Sequence, residues 1–258
     1  MKVTFLASDC WNPVPGNDAS GILVNGKYLF DTGYFLAENL KRCGIEPQNI
    51  EHLFFTHMHH DHYMALPQIL FWYLQAGKDL RRLHIYGPKK DVRHVVDLSM
   101  AFLQAGADKP FYNNCTYPSV HELEPGDMIE LPDIEIDTGS SLHPVDCICY
   151  RLEERETGKV LGITGDTFYR ENIPQTLHDC DILVHETALA DGRSDINNPP
   201  SCLHSSIDIA LITARESRAK RLFVIHFAES KAENVKKSAA ELSDIEVVYP
   251  ERFVPYEV

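Results

Sequence analysis

The 258-residue chain is 44% hydrophobic and carries a formal net charge of −14, from 38 acidic and 24 basic side chains. This composition argues against a disordered chain, and the acidic excess disfavours a large RNA partner, because affinity for phosphate backbones depends on clustered Lys and Arg. No apolar run approaches the roughly 20 residues of a membrane helix, and no signal-peptide core follows Met1. We therefore expect a cytoplasmic protein without a membrane partner and with a single domain over residues 1–258.

The seven cysteines are odd in number and have no repeated spacing. This pattern favours reduced intracellular thiols over a disulfide framework. Cys147 and Cys149 lie two positions apart in a strand-like run, so they would share one face of a sheet, and we interpret them as small core residues.

The first half of the chain mixes strands and helices. Asn25-Gly26 favours a tight type I′ hairpin between two short apolar runs. The predicted strands are Val3–Leu6, Gly21–Val24, Tyr28–Phe30, Ile50–Thr56 and Leu83–Tyr86. The predicted helices are Phe35–Cys43, Tyr63–Ala76 and Lys89–Gln104.

The second half repeats a similar plan of strands accompanied by helices, which indicates a second sheet. Its predicted strands are Met128–Leu131, Ile134–Asp137, Cys147–Leu152, Val160–Ile163, Ile182–His185 and Arg221–Ile225. Its predicted helices are Ser205–Arg218 and Ala232–Leu242.

A dense cluster of metal-binding residue types follows the strand that ends near residue 56. Its sequence is His57-Met58-His59-His60-Asp61-His62. His57 and His59 alternate onto one side of an extended segment and are expected to bind one ion, whereas Asp61 and His62 on the following bend reach a second. His60 is expected to point elsewhere. Imidazole and carboxylate ligands suit divalent zinc.

Three further candidate ligands come directly after other predicted strands: His143, Asp166 and His226. Asp166 is the natural bridge because each of its two oxygens can bind one ion, while the two histidines complete the separate shells. Such a pair of ions would lower the pKa of a shared water and provide hydroxide as the nucleophile. We predict two Zn²⁺ ions, with Mn²⁺ or iron as alternatives because the same ligand types accept them.

In order along the chain, this pattern resembles the metallo-β-lactamase superfamily, with its HxHxDH motif followed by His, Asp and His. The resemblance implies an α/β (α+β) fold, a four-layer αββα sandwich with the metals at one edge between two sheets. It leaves the substrate open, because the fold serves hydrolases of β-lactams, thioesters, lactones, phosphodiesters and sulfate esters, and also redox enzymes.

Three further segments resemble the ribonuclease Z branch of that superfamily: His185-Glu186-Thr187, His204-Ser205-Ser206 and His226-Phe227. The resemblance implies that His204 assists the leaving group as a general acid and that Glu186 orients it. Asp61 is predicted to be both a metal ligand and a catalytic residue. Asp31 resembles the acidic residue of the family that supports the metal-binding histidines. The remaining histidines receive no role: His52, His84, His94, His121, His178 and His185.

Two departures from ribonuclease Z bear on the substrate. Only 23 positions separate His143 from Asp166, too few for the long tRNA-clamping arm often inserted there, and Ala65 replaces a common Gly. The chain is more similar to armless phosphodiesterases of cyclic nucleotides, among them anti-Pycsar enzymes that degrade cyclic pyrimidine nucleotides. A small-molecule phosphodiester is therefore the predicted substrate. Some relatives carry the arm elsewhere or act as homodimers, so tRNA 3′ processing and a homodimer stay open.

Two other functions also fit the metal ligands. One is hydrolysis of a carboxylic ester, thioester or lactam, which has no evident need for a Glu–His pair. The other is a non-catalytic metalloprotein that binds a phosphorylated ligand. Several aromatic residues are candidates either for stacking on a base or for the core: Trp11, Phe71, Trp72, Tyr73 and Tyr169.

Overall fold

The computed structural model describes residues 1–103 and 115–258, which build two seven-stranded β-sheets. The first sheet has the strand order β14-β1-β2-β3-β4-β5-β6. Its strands are β1 (Lys2–Phe5), β2 (Ile22–Val24), β3 (Tyr28–Phe30), β4 (His52–Phe54), β5 (His84–Pro88), β6 (Ser119–Leu123) and β14 (Pro255–Glu257). Strands β3 to β6 are parallel, so their carboxyl ends lie along one edge of the sheet.

The second sheet has the order β13-β12-β11-β10-β9-β8-β7. Its strands are β7 (Met128–Glu130), β8 (Ile134–Ser140), β9 (Ile148–Glu154), β10 (Val160–Ile163), β11 (Ile182–Glu186), β12 (Arg221–Ile225) and β13 (Glu246–Val248). Strands β10 to β13 are parallel and again present their carboxyl ends together.

Helices cover the outer face of each sheet and give four layers. They are α1 (Leu36–Arg42), α2 (His60–Tyr63), α3 (Leu66–Gln75), α4 (Val92–Leu103), α5 (Asn172–Thr176), α6 (Ile207–Glu216) and α7 (Ala232–Leu242). One apolar cluster fills the space between the sheets, and two others join each sheet to its helices. Phe54 of the central cluster stacks on Phe30 and Tyr86 at ring distances of 4.8 and 4.4 Å, and such pairs contribute about 0.5–1.5 kcal/mol beyond area burial.

Most predicted elements are present, and the main error concerns the helix predicted over Tyr63–Ala76. The chain instead forms α2 and α3, interrupted at Met64 and Ala65. Pro67 lies in the first turn of α3, where its missing N–H leaves no hydrogen bond unmade. The predicted end of α4 at Gln104 lies outside the described residues.

Besides α2 and three single-turn 3-10 helices, the described residues form four short elements that were not predicted: β6, β13, β14 and α5. The three strands are at or near sheet edges and are only partly buried, so they lack a continuous apolar run. Cys147 and Cys149 are buried and unbridged, as expected of small core residues. Within the described ranges, no helix is both long and apolar enough to cross a bilayer.

Candidate metal centre

The predicted site residues follow strand ends at the edge where the two sheets meet. Asp31 follows β3, His57 follows β4, His143 follows β8, Asp166 follows β10, Glu186 ends β11 and His226 follows β12. Two of these residues have left-handed backbone conformations, with φ of +56° at both Asp31 and His226. Such angles are unfavourable for residues with a Cβ, so the surrounding structure must stabilise them.

A first group of three imidazoles contains His57, His59 and His143. The Nδ1 atom of His59 lies 3.1 Å from Nε2 of His57 and 3.0 Å from Nε2 of His143. Three nitrogen atoms this close are compatible with one shared cation, because zinc–nitrogen bonds are about 2.0–2.1 Å long. Burial lowers the pKa of His57, and it lowers that of His143 to about 4, so both rings are neutral and can offer lone pairs.

A second group contains Asp61, His62 and His226. The Oδ2 atom of Asp61 lies 3.7 Å from Nε2 of His62 and 3.4 Å from Nε2 of His226. The other ring nitrogen of His62, Nδ1, donates to Oδ2 of Asp31 at 2.8 Å. Thr56 holds that carboxylate in turn, since its backbone N–H and hydroxyl donate to the two oxygens of Asp31, each at 2.8 Å.

Asp166 lies between the two groups. Its Oδ2 atom is 3.8 Å from Nε2 of His57, 3.4 Å from Nε2 of His62 and 3.6 Å from Nε2 of His226. Burial acts to raise the pKa of Asp166, but the imidazoles of His226 and His62 outweigh it and hold that pKa well below its usual range. The side chain is therefore a buried anion among imidazoles from both groups.

Glu186 and His204 form a hydrogen-bonded pair beside this cluster. His204 Nδ1 donates to Oε1 of Glu186 at 2.9 Å, and the His204 ring lies 4.9 Å from the ring of His143. Burial lowers the pKa of His204, but the Glu186 hydrogen bond and the negative charge of Glu186 and Asp166 raise it to about 9. The His204 side chain keeps 20% of its surface exposed, so it remains accessible to a substrate.

The site contains buried carboxylates whose negative charge cations would compensate. Four carboxylates are buried here, those of Asp31, Asp61, Asp166 and Glu186. Within the described part of the chain, all their ion-pair partners are histidines, and none is a Lys or Arg. Isolated buried carboxylates cost several kcal/mol each, so compensation by divalent cations suits this donor set.

The structure brings the seven candidate ligands and the Glu186–His204 pair into one site. His60 is exposed and lies beside Tyr34, away from both groups, as expected. Two supporting residues were not predicted from the sequence: Thr56, which holds Asp31, and Thr167, whose backbone N–H donates to Glu186 at 3.1 Å. Each directly precedes or follows a candidate ligand, and that adjacency is the signal that could have identified it.

The aromatic candidates for base stacking differ in how far their rings are exposed. Trp11 is 64% exposed and Phe71 is also exposed. Tyr73 is buried in α3, where its hydroxyl donates to the carbonyl of Ile50, so the core alternative is confirmed for this residue. The ring of Trp72 is covered by Lys41, whose Nζ lies 3.7 Å from the ring centre.

Known proteins share this fold and sequence pattern. Ribonuclease BN of Cronobacter sakazakii is 26% identical over 300 aligned positions that cover 95% of both chains. The structure of the metallo-β-lactamase fold protein YhfI from Bacillus subtilis superimposes with a TM-score of 0.81 at 20% identity, covering 99% of this chain and 98% of that one. The short form of human tRNase Z gives a TM-score of 0.78 at 23% identity, covering 100% and 99%.

These matches confirm the predicted resemblance and the αββα metallo-β-lactamase fold. Residues 21–246, most of the chain, match the sequence profile of the family described as anti-Pycsar protein Apyc1. The protein is a metal-dependent hydrolase of the metallo-β-lactamase superfamily, and it belongs to the anti-Pycsar protein Apyc1 family.

Proposed function

We propose that the protein is a phosphodiesterase that uses two zinc ions to hydrolyse a small phosphodiester, specifically a cyclic pyrimidine nucleotide. The observation that carries the proposal is the position of Asp166 Oδ2, within 3.8 Å of imidazoles from both ligand groups. The His204–Glu186 pair supports phosphodiester cleavage, because it supplies a proton donor for a departing alkoxide.

The residues present fit two divalent cations. His57, His59 and His143 would hold one ion, and Asp61, His62 and His226 the other, with Asp166 shared. The Nε2 atom of His62 supports this assignment, because it is buried, faces two carboxylates and has no hydrogen-bond partner among the described residues. Two such ions would supply Lewis acidity at the phosphoryl oxygen and would lower the pKa of water.

The chain's own residues orient these groups and move a proton. Asp31 accepts a hydrogen bond from Nδ1–H of His62, which leaves the Nε2 lone pair directed at the centre. Glu186 accepts a hydrogen bond from Nδ1–H of His204. Burial lowers the pKa of His204, but Glu186 and Asp166 outweigh it and raise that pKa to about 9, so at neutral pH the ring also carries a proton on Nε2, and this proton passes to the leaving oxygen of the ester. We therefore propose positioning roles for Asp31 and Glu186 and a catalytic role for His204.

The surroundings of the site favour a small substrate over a large RNA. Strands β9 and β10 are joined by only five residues, 155–159, so no clamping arm is inserted between His143 and Asp166. The net charge of −14 also opposes binding of a long phosphate backbone. The match to the anti-Pycsar protein Apyc1 family supports a cyclic nucleotide as the substrate.

A second candidate function is tRNA 3′ processing. It is favoured by relatives named ribonuclease BN and ribonuclease Z, at 26% and 25% identity. A comparison of cyclic CMP, cyclic UMP, cyclic AMP and a precursor tRNA with zinc- or manganese-loaded protein separates the two functions. Faster turnover of the cyclic pyrimidine nucleotides supports our proposal, whereas site-specific cleavage of the tRNA alone would replace it.

The role of His204 is tested by replacing it with Ala. We expect turnover of cyclic nucleotides to fall by about 10²–10⁴-fold while bound metal is retained, because the residue donates a proton and is not a ligand. His178→Ala is the matched control, since His178 is exposed and has no place in the site. Nitrocefin and a glutathione thioester test the lactam and thioester alternatives, and rapid hydrolysis of either without phosphodiesterase activity would refute the proposal.

A further inference from the structure

A cavity of about 400 Å³ opens next to the candidate metal centre and shares His143 with it. Its volume is in the range of about 300–1,000 Å³ that small-molecule sites occupy. The cavity is bounded by the loop after β5, the loop after β6, the loop between β8 and β9, and the turn that carries Arg170. Much of its wall is apolar, contributed by Pro88, Leu123, Pro125, Pro144, Val145 and Ile148.

The two lysines of the cavity are neutralised by neighbouring carboxylates. Lys89 Nζ lies 3.2 Å from Glu124, and Lys90 Nζ lies 2.8 Å from Asp146. A second phosphate or another strongly anionic group would therefore meet two carboxylates as well as the lysines. This charge balance disfavours a polyanionic ligand in the cavity.

Arg170 is different, because no carboxylate of the described ranges forms an ion pair with its guanidinium. Its Nη1 atom donates to the hydroxyl of Ser140 at 2.7 Å, and the Ser140 carbonyl in turn accepts from Asn172 Nδ2 at 3.1 Å. The guanidinium is thus held at the cavity by one neutral acceptor, the Ser140 hydroxyl. Its remaining N–H groups are available to a ligand, and a fixed fork of donors suits a carbonyl oxygen on a planar ring.

Resting on the proposed function, we infer that this cavity binds the nucleobase of the cyclic nucleotide and that Arg170 donates to a carbonyl oxygen on the base edge. The apolar wall contacts the faces of the ring, while the shared His143 places the phosphodiester at the metal centre. Cytosine, uracil and guanine carry such an oxygen and adenine does not. Arg170 is therefore a specificity-determining residue that favours carbonyl-bearing bases.

The test measures selectivity with kcat/KM for cyclic UMP, cyclic CMP, cyclic AMP and bis(p-nitrophenyl) phosphate, which has no base. In Arg170→Ala we expect the ratio of kcat/KM for cyclic UMP to that for the aryl ester to fall by roughly tenfold or more, through KM rather than kcat. Arg170→Lys keeps the charge but loses the fork of donors, so its ratio should lie between those of the wild-type protein and Arg170→Ala. Arg93→Ala is the control, because Arg93 is an exposed arginine of α4 paired with Glu122.

Each outcome decides the inference. A fall of at least fivefold in the Arg170→Ala ratio supports it, and a smaller change, or a wild-type preference for cyclic AMP, overturns it. If the wild-type protein hydrolyses no nucleotide at all, the proposed function fails and the inference fails with it. Wild-type turnover of cyclic nucleotides with an unchanged Arg170→Ala ratio refutes the inference alone.

Discussion

The substitution Glu186→Gln tests how the chain orients its proton donor. Oε1 of Glu186 accepts from His204 Nδ1 at 2.9 Å, from the backbone N–H of Ser205 at 3.0 Å and from that of Thr167 at 3.1 Å, and Oε2 accepts from the N–H of Ala188 at 2.8 Å. A Gln amide keeps only one acceptor oxygen. If that oxygen faces the three donors on the Oε1 side, the amide NH₂ group faces the N–H of Ala188, and one hydrogen bond is lost.

The expected loss follows from the change in the Glu186–His204 hydrogen bond. A bond to a charged acceptor contributes about 1.5–3 kcal/mol and a neutral one about 0.5–1.5 kcal/mol. The hydrogen bond that holds the His204 ring in its donating orientation therefore becomes about 1–2 kcal/mol weaker, and the correctly oriented fraction of the ring falls accordingly. Since 1.36 kcal/mol corresponds to a tenfold change in rate, we expect kcat for a cyclic nucleotide to fall roughly 5- to 30-fold.

The assay compares substrates whose leaving groups differ in their need for a proton. A nucleotide alkoxide leaves poorly unless it is protonated, whereas p-nitrophenolate leaves readily, so the loss in Glu186→Gln should be larger for cyclic UMP than for bis(p-nitrophenyl) phosphate. Glu241→Gln, at an exposed position of α7, is the matched control. Equal losses on both substrates, or a loss of bound metal, would refute the assignment of Glu186 to proton-donor positioning.

Three further changes have defined outcomes. Asp31→Asn should weaken zinc binding by about 10- to 100-fold in a chelator competition, because the support for His62 Nδ1 is weakened while Asn still tolerates the left-handed backbone. Burial acts to raise the pKa of Asp181, but two lysines and a backbone N–H outweigh it and hold that pKa at about 2, below its ordinary 3.8. The carboxylate therefore stabilises the fold above about pH 4 and loses that effect as the pH falls to about 2. In urea unfolding, Asp181→Asn should lower the free energy of unfolding by about 1–3 kcal/mol at pH 7 and by much less near pH 2. Gly165→Ala would place a Cβ 2.7 Å from Cβ of Thr56 at a backbone φ of +63°, so its thermal midpoint should fall by several degrees, and an unchanged midpoint would contradict that geometry.

The candidate ligands could be named from the sequence because their chemistry is rare and local. Four histidines and an aspartate within six positions have few structural explanations, and carboxyl ends of parallel strands gather at one edge of a sheet. Asp31 was also identifiable, since it directly follows β3. The strands and helices that carry these residues have strong apolar patterns, and their apolar residues are buried in the structure.

Other features depend on contacts between distant segments and were not predictable. The cavity beside His143 is formed by four separate loops, and nothing near Arg170 in sequence indicates that it meets Ser140 thirty positions earlier. The burial of Tyr73 depends on packing of α3 against the first sheet and on the carbonyl of Ile50. The break before α3 also escaped prediction, because apolar residues continue through it.

The proposed centre, in which seven side chains hold a pair of metal ions, is tested most directly by elemental analysis of the purified protein after zinc loading and removal of free metal. We predict two equivalents of zinc per chain, falling to one or fewer in Asp166→Ala because the shared carboxylate is lost. A wild-type protein that retains no more than a trace of zinc, manganese or iron would contradict the account.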